Sequence, residues 1–136
     1  MRNSVILDAS VVVKWFTQES DSDKAIEYLK SFQKNEITIL VPSLLFYELG
    51  NTILKKGGSE KMIGAIQQKL QNLQLEIRDI GLDWLKSIYQ NSFEYSITFY
   101  DAAYVTLMQN KNCTFVTADK KLFEKTKKKF AGVTLL

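Results

Sequence analysis

The stretch that decides the fold runs from residue 96 to residue 125 and reads S-I-T-F-Y-D-A-A-Y-V-T-L-M-Q-N-K-N-C-T-F-V-T-A-D-K-K-L-F-E-K. It predicts a helix over 100–110, a short buried strand over 114–116 and a turn into another helix. At about 100° per residue, Asp101 falls on the same apolar side of its helix as Tyr104 and Met108. A carboxylate on that side is costly unless it is paired, protonated or bound to a cation. We therefore expect Asp101 to point inward, toward a group that neutralises it.

The rest of the chain alternates short apolar runs with helical segments. Predicted strands cover 4–7, 37–41, 75–80, 114–116 and 133–136. Predicted helices cover 9–16, 23–33, 44–56, 59–73, 82–93, 100–110 and 120–130. The capping residues that we expect are Ser20 or Ser22, Ser43 and Ser59. Strands that are apolar on both faces and separated by helices predict a parallel α/β sheet covered on both faces, in one domain over 1–136.

Composition excludes several kinds of active site. The 136 residues contain one cysteine and no histidine, which excludes disulfides within the chain, histidine-based catalysis and zinc sites built from cysteine or histidine. Catalysis would have to use carboxylates, hydroxyls, lysines or a hard metal ion. The net charge of +3 points weakly to a polyanionic partner. The single cysteine fits a reducing compartment, so we expect a cytoplasmic protein, and no apolar run has the length that a membrane span needs.

Acidic residues gather at one predicted edge of the sheet. Asp8 follows the first strand directly, and Asp119 follows the fourth strand by three residues. Ligands bind parallel sheets at this edge, where the strands end. Glu48 lies at the border of the apolar face of the helix after the second strand, and Asn51 lies on the same flank. With Asp101 these residues make four acids, and Asp8, Glu48, Asp101 and Asp119 are called the four acids below.

Each of the four acids also has an ordinary structural interpretation. Asp8, Asp101 and Asp119 could each cap a helix, and Glu48 could be a partly exposed helix residue. Their convergence favours a site, because clustered carboxylates repel one another unless some are protonated or a divalent cation lies among them. Oxygen ligands without histidine or cysteine select Mg²⁺ or Mn²⁺, with Ca²⁺ as an alternative, and Mg²⁺ usually completes its shell with phosphate oxygens. The pattern therefore predicts phosphate chemistry.

Four segments, in this order and spacing, resemble the PIN-domain ribonucleases, and more narrowly the VapC-type toxins of toxin–antitoxin pairs. They are V-I-L-D-A-S at 5–10, P-S-L-L-F-Y-E-L-G-N at 42–51, I-T-F-Y-D-A-A-Y-V at 97–105 and F-V-T-A-D-K-K-L at 115–122. The resemblance implies a three-layer α/β/α fold with a central parallel five-stranded sheet. It implies an Mg²⁺- or Mn²⁺-dependent endoribonuclease whose metal-binding acids are the four acids. It also implies a homodimer and an antitoxin that covers the active-site groove.

Other residues acquire roles by the same resemblance and by their position. The family's hydroxyl residue in the last motif carries over onto Thr117, and its small polar residue after the first Asp onto Ser10. Together with Asn51 these residues would orient the carboxylates, and local capping is the alternative. Either Asp119 or Glu48 could orient or deprotonate a water that attacks the phosphodiester, giving 5′-phosphate and 3′-hydroxyl ends. Lysines beside the site would contact RNA phosphates, unless they form only a solvated face. The candidates for that contact are Lys14, Lys120 and Lys121.

Two other functions compete with the ribonuclease. One is a catalytically silent PIN-like scaffold that binds RNA or a partner, against which the intact acids argue. The other is an aspartate-based phosphotransfer domain. The phosphatase version of that domain needs a second Asp two residues after the first, where this chain has Ser10.

Overall fold

The computed structural model describes residues 3–136, which form a single five-stranded sheet. The strands are β1 (Asn3–Leu7), β2 (Ile37–Val41), β3 (Glu76–Ile77), β4 (Thr114–Thr117) and β5 (Val133–Leu135). Their order across the sheet is β3-β2-β1-β4-β5, and every neighbouring pair is parallel. The predicted parallel α/β sheet is confirmed.

Helices connect the strands. They are α1 (Ala9–Val12), α2 (Ser22–Gln33), α3 (Leu44–Lys55), α4 (Glu60–Leu73), α5 (Leu85–Tyr95), α6 (Phe99–Lys111) and α7 (Lys120–Thr126). Single 3₁₀ turns at Val13–Trp15 and Leu82–Trp84 continue α1 and precede α5. No helix within residues 3–136 has the length and apolar character needed to cross a membrane.

Consecutive strand residues face opposite sides of the sheet and build two separate cores, as expected of a sheet covered on both faces. Leu7 and Val116 belong to one core, which α1, α2, α3 and α4 cover. Ile6 and Phe115, each one position earlier, belong to the other core, which α5, α6 and α7 cover. The molecule therefore has the three layers that the resemblance implied.

Strand order explains where a site can form. The chain runs from β1 outward through β2 to β3, and then returns to place β4 on the other side of β1. The connections leaving β1 and β4 therefore diverge to opposite faces, which opens a crevice at the carboxyl ends of these strands. Asp8 and Asp119 both follow strands that border this crevice.

Several predicted boundaries differ from the structure. The strand predicted over 75–80 is only the two residues of β3, an edge strand with one neighbour, where Arg78 and Glu76 form an exposed ion pair. The helix predicted over 120–130 ends at Thr126, because the chain must turn there to bury Phe130 and enter β5. The N-cap of α2 is Asp21, whereas Ser22 is buried and donates a hydrogen bond to the Thr17 carbonyl at 2.8 Å.

Candidate active site

All four acids line one cleft of about 390 Å³ at the carboxyl end of the sheet. They reach it from four different places in the chain: the residue after β1, the middle of α3, the first turn of α6 and the residue before α7. The cleft is lined by Asp8, Ala9, Ser10, Val13, Lys14, Glu19, Glu48, Thr52, Lys56, Asp101, Ala118 and Asp119. The sheet thus gathers acids that lie up to 111 positions apart in the sequence (119 − 8 = 111).

Asp8 is the most deeply buried of the four acids, with 6% of its surface exposed. Its Oδ1 accepts a hydrogen bond from the Ser10 hydroxyl, and its Oδ2 accepts one from Thr117 Oγ1 at 2.6 Å. Burial raises the pKa of Asp8 to about 6, while the two hydroxyl hydrogen bonds act in the opposite direction. Although Asp8 occupies the N-cap position of α1, its side chain makes no capping hydrogen bond.

The Ser10 and Thr117 hydroxyls connect Asp8 to the loop after β4. Ser10 Oγ accepts a hydrogen bond from the backbone N–H of Ala118 at 2.9 Å, and Thr117 Oγ1 accepts one from that of Asp119 at 3.1 Å. Each hydroxyl therefore contacts both the buried carboxylate of Asp8 and a backbone N–H of Asp119 or of the residue before it. These contacts suit the predicted role of orienting carboxylates, a role that stays a prediction.

Glu48 is half-buried, and its Oε1 accepts a hydrogen bond from the hydroxyl of Tyr104 at 2.7 Å. Burial raises the pKa of Glu48, the charges of Asp8 and Asp101 raise it further, and the hydrogen bond from Tyr104 opposes both. Burial and the nearby negative charges raise the pKa of Tyr104, so its phenol stays a neutral donor. Sequence reasoning placed Tyr104 on the side of α6 that carries Asp101 but missed its contact with α3.

Asp101 and Asp119 differ in their relation to helix ends. Thr98, not Asp101, caps α6 by accepting a hydrogen bond from the Asp101 N–H at 3.0 Å. Burial raises the pKa of Asp101 and the charge of Asp119 raises it further, while the hydrogen bond with Thr98 and the charge of Lys125 oppose both. Asp119 caps α7 through Oδ1, which accepts from the Leu122 N–H at 3.1 Å. For Asp119 the capping interpretation is correct, and the residue also lines the cleft.

The donor chemistry of the cleft fits a hard divalent cation. Within residues 3–136, none of the four acids forms an ion pair with a lysine or arginine. In the same range, no group of three acidic, cysteine or histidine side chains is already arranged to hold a metal ion. Mg²⁺ needs no such closed cage, because it is usually held by one or two carboxylates together with water and substrate phosphate oxygens.

The predicted RNA-binding lysines occupy different settings. Lys14 lines the cleft but is only 9% exposed, and its Nζ pairs with Asp21 at 2.9 Å and Glu19 at 3.2 Å. Burial would lower the pKa of Lys14, but these hydrogen bonds outweigh it and raise the pKa. Lys120 and Lys121 are exposed at the start of α7, outside the cleft wall.

Two further positions complete the placement of the predicted site. Asn51 is exposed and does not line the cleft, whereas its neighbour Thr52 does. Lys56, at the end of α3, is an exposed lysine on the cleft wall. Sequence reasoning did not single out Lys56, because nothing in the local pattern distinguishes it from the other exposed lysines of the chain.

Comparison with known proteins identifies one family and several solved structures that share the fold of this chain. A family model described as the PIN domain matches residues 5–129. No curated protein sequence matched the chain. Among solved structures, PAE2754 of Pyrobaculum aerophilum superposes with a TM-score of 0.69 at 24% identity, covering 99% of this chain and 92% of its own.

Two further solved structures are a toxin–antitoxin complex and a toxin. A toxin–antitoxin complex from Klebsiella pneumoniae matches with a TM-score of 0.66 at 15% identity, covering 96% of this chain and 95% of its own. VapC20 of Mycobacterium tuberculosis, described as a toxin that cleaves the sarcin–ricin loop, matches with a TM-score of 0.69 at 11% identity. That match covers 90% of this chain and 95% of VapC20. At these identities the structures show a shared fold.

Proposed function

Because the chain belongs to the PIN-domain family, we propose that it is a metal-dependent endoribonuclease, and that it acts as the toxin of a type II toxin–antitoxin pair. One observation carries the proposal: the four acids converge on a single cleft without a lysine or arginine paired to any of them in residues 3–136. Such a cluster is costly in a metal-free protein and is well suited to a divalent cation. The toxin role is supported by the fold shared with VapC20 and with the Klebsiella complex.

The four acids would hold Mg²⁺ or Mn²⁺, which when bound acidifies water and stabilises charge on a phosphate. Asp8 would be fixed by Ser10 and Thr117, whose hydroxyls occupy both of its oxygens from the side of the protein. Glu48 and Asp119 are the candidates for accepting the proton of the attacking water. The products would carry 5′-phosphate and 3′-hydroxyl ends, because water and not the ribose 2′-hydroxyl is the nucleophile.

RNA would enter over the basic side of the cleft. Lys56 lines that side and can contact phosphates without reading bases. Lys14 is already neutralised by its two acidic partners, so its contact with RNA would require that pairing to loosen. Lys120 and Lys121 remain candidates for contact with RNA outside the cleft.

An antitoxin would bind beside the cleft. A largely apolar groove of about 440 Å³ lies between α3 and α4. It is lined by Phe46, Leu49, Gly50, Ile63, Ile66, Gln67, Leu70, Gln71, Gln74, Leu75 and Ile77. Since α3 carries both groove residues and Glu48, we expect an antitoxin segment that is apolar over the groove and basic where it reaches the four acids.

Cleavage of a panel of structured RNAs by the purified protein tests the activity. We expect cutting with Mn²⁺, none with chelator, and a loss of at least about 100-fold in Asp101→Asn. The matched control is Asp23→Asn, an exposed acid on α2 outside the cleft, which should cut like the wild type. Chelator-resistant cutting, an active Asp8→Ala variant, or cyclic-phosphate ends would contradict the proposed chemistry.

Mn²⁺ titration distinguishes the ribonuclease from a silent scaffold. A competent site binds Mn²⁺ and loses it in Asp101→Asn, whereas a scaffold has no need to bind the ion. A covalent phospho-aspartate formed from a phosphate donor would instead favour the phosphotransfer domain.

A further inference from the structure

Tyr104 and Glu48 join two helices through one hydrogen bond. The Tyr104 hydroxyl, on α6, donates to Glu48 Oε1, on α3, at 2.7 Å. Burial of the Tyr104 side chain is complete, and its ring stacks on Phe115 of β4 with centroids 5.4 Å apart and planes 7° apart. The hydroxyl is therefore held by the core of the protein.

Glu48 is held much less firmly by its own surroundings. Its side chain is half-buried at the cleft and lies near the charges of Asp8 and Asp101, which repel its carboxylate. A glutamate side chain also has several rotatable bonds, and fixing them costs entropy. A rigid neutral donor offsets both effects, because it holds one oxygen in place without adding charge.

In a purely structural explanation the roles are exchanged, and Glu48 serves Tyr104. A buried phenol needs a hydrogen-bond partner, and Glu48 could simply supply one. The difference in rigidity argues against that explanation, since the core fixes the tyrosine, whereas within residues 3–136 no other hydrogen bond or ion pair holds the glutamate carboxylate. Phenylalanine would fill the same space beside Phe115 without needing any partner.

We propose that Tyr104 is a positioning residue that holds Glu48 in the orientation in which it serves the metal ion. This inference rests on the proposed metal-dependent function and assigns Tyr104 no contact with substrate. Partners that orient a metal-binding carboxylate typically change metal affinity by about 10- to 100-fold when removed.

The test is a double-mutant cycle on Mn²⁺ affinity, measured by electron paramagnetic resonance of the free ion. Tyr104→Phe should weaken Mn²⁺ binding about tenfold. In a Glu48→Ala background the same change should have no further effect, because the carboxylate that it acts through is gone. The matched control is Tyr95→Phe, whose ring packs on Phe130 and which should bind Mn²⁺ like the wild type.

Glu48→Asp tests the same hydrogen bond from the other side and leaves the tyrosine in the core. Its carboxylate loses the reach to the phenol, so Mn²⁺ binding should weaken, and adding Tyr104→Phe should change it no further. Wild-type affinity in Tyr104→Phe, or an equal loss with and without Glu48, would overturn the inference while leaving the nuclease proposal intact. A wild-type protein that binds no Mn²⁺ would overturn both.

Discussion

Asp8 shows how a single residue ties stability to the proposed function. Burial raises its pKa from 3.8 to about 6, so the folded protein binds a proton that the unfolded chain releases between these pH values. The free energy of unfolding therefore falls as pH rises through this window. A shift of about two units corresponds to about 3 kcal/mol. Glu48 and Asp101, whose pKa values are also raised, act in the same direction.

We predict that the metal-free protein loses stability between pH 4 and pH 7 and that Asp8→Asn loses less, by up to about 3 kcal/mol. The amide cannot ionise, so the cost of a buried charge at neutral pH disappears. Urea unfolding at a series of pH values measures the difference, with Asp23→Asn as the exposed-acid control. An identical pH dependence of the free energy of unfolding in the wild type and Asp8→Asn would show that ionisation of Asp8 does not destabilise the folded protein.

The site residues that could be identified from the sequence are those whose placement follows from the residues next to them. Asp8 directly follows a buried strand and Asp101 falls on the apolar side of a helix, and both features can be read from neighbouring positions. The Tyr104–Glu48 hydrogen bond joins residues 56 positions apart, so it depends on how two helices pack on the sheet. Lys14 was predicted to contact RNA, and its pairing with Asp21 depends on the path of the loop that precedes α2.

At the level of elements, the residue that precedes α7 has two roles. Asp119 caps the helix through Leu122 and lines the cleft with the other acids. Asparagine caps a helix about as well as aspartate, whereas alanine does not. The two substitutions therefore separate the capping of α7 from the negative charge in the cleft.

We predict that Asp119→Ala lowers the free energy of unfolding by about 1 kcal/mol and that Asp119→Asn leaves it near the wild-type value. Both variants should bind Mn²⁺ more weakly, because both remove the charge. The control is Ser59→Ala, which removes the hydrogen bond from the Met62 N–H that caps α4 and should cost similar stability without affecting Mn²⁺. Wild-type Mn²⁺ affinity in Asp119→Asn would leave Asp119 with a capping role alone.

Element boundaries were predictable where a local signal ends the element. Gly57, at φ 75°, follows α3 in the left-handed conformation that glycine adopts readily, and Ser59 caps α4 as expected. The length of β3 was not predictable, because an edge strand ends where its single neighbour β2 stops pairing with it. The local sequence pattern does not indicate which strand will lie at the edge of the sheet.

For the whole molecule, the parallel sheet followed from strands that are apolar on both faces, but their spatial order did not. The order β3-β2-β1-β4-β5 requires the chain to reverse its direction of travel after β3, which no local pattern specifies. That reversal creates the crevice that holds the four acids. The position of the site therefore depends on topology, although the acids themselves are visible in the sequence.

The outer face of the molecule carries an apolar stripe on α5 and the turn before it. Leu82, Leu85, Tyr89 and Phe93 follow one another at helical spacing, and Leu82 and Phe93 are 91% and 78% exposed. The Tyr89 and Phe93 rings stack with centroids 6.3 Å apart. An exposed stripe without charged members can pair with its own copy across a two-fold axis, where each residue meets a residue of the same stripe.

We predict that the chain forms a homodimer through this stripe and that Phe93→Glu converts it to a monomer. The two-fold axis brings the introduced charges of both copies into one apolar contact, so each substitution acts twice. Light scattering after size-exclusion chromatography measures the mass of each variant against twice the chain mass of 15.6 kDa. Ser87→Glu adds the same charge to an exposed position of α5 that lies off the stripe, and it should remain dimeric. A wild-type monomer at high concentration would refute the dimer, and a dimeric Phe93→Glu variant would place the interface on another face.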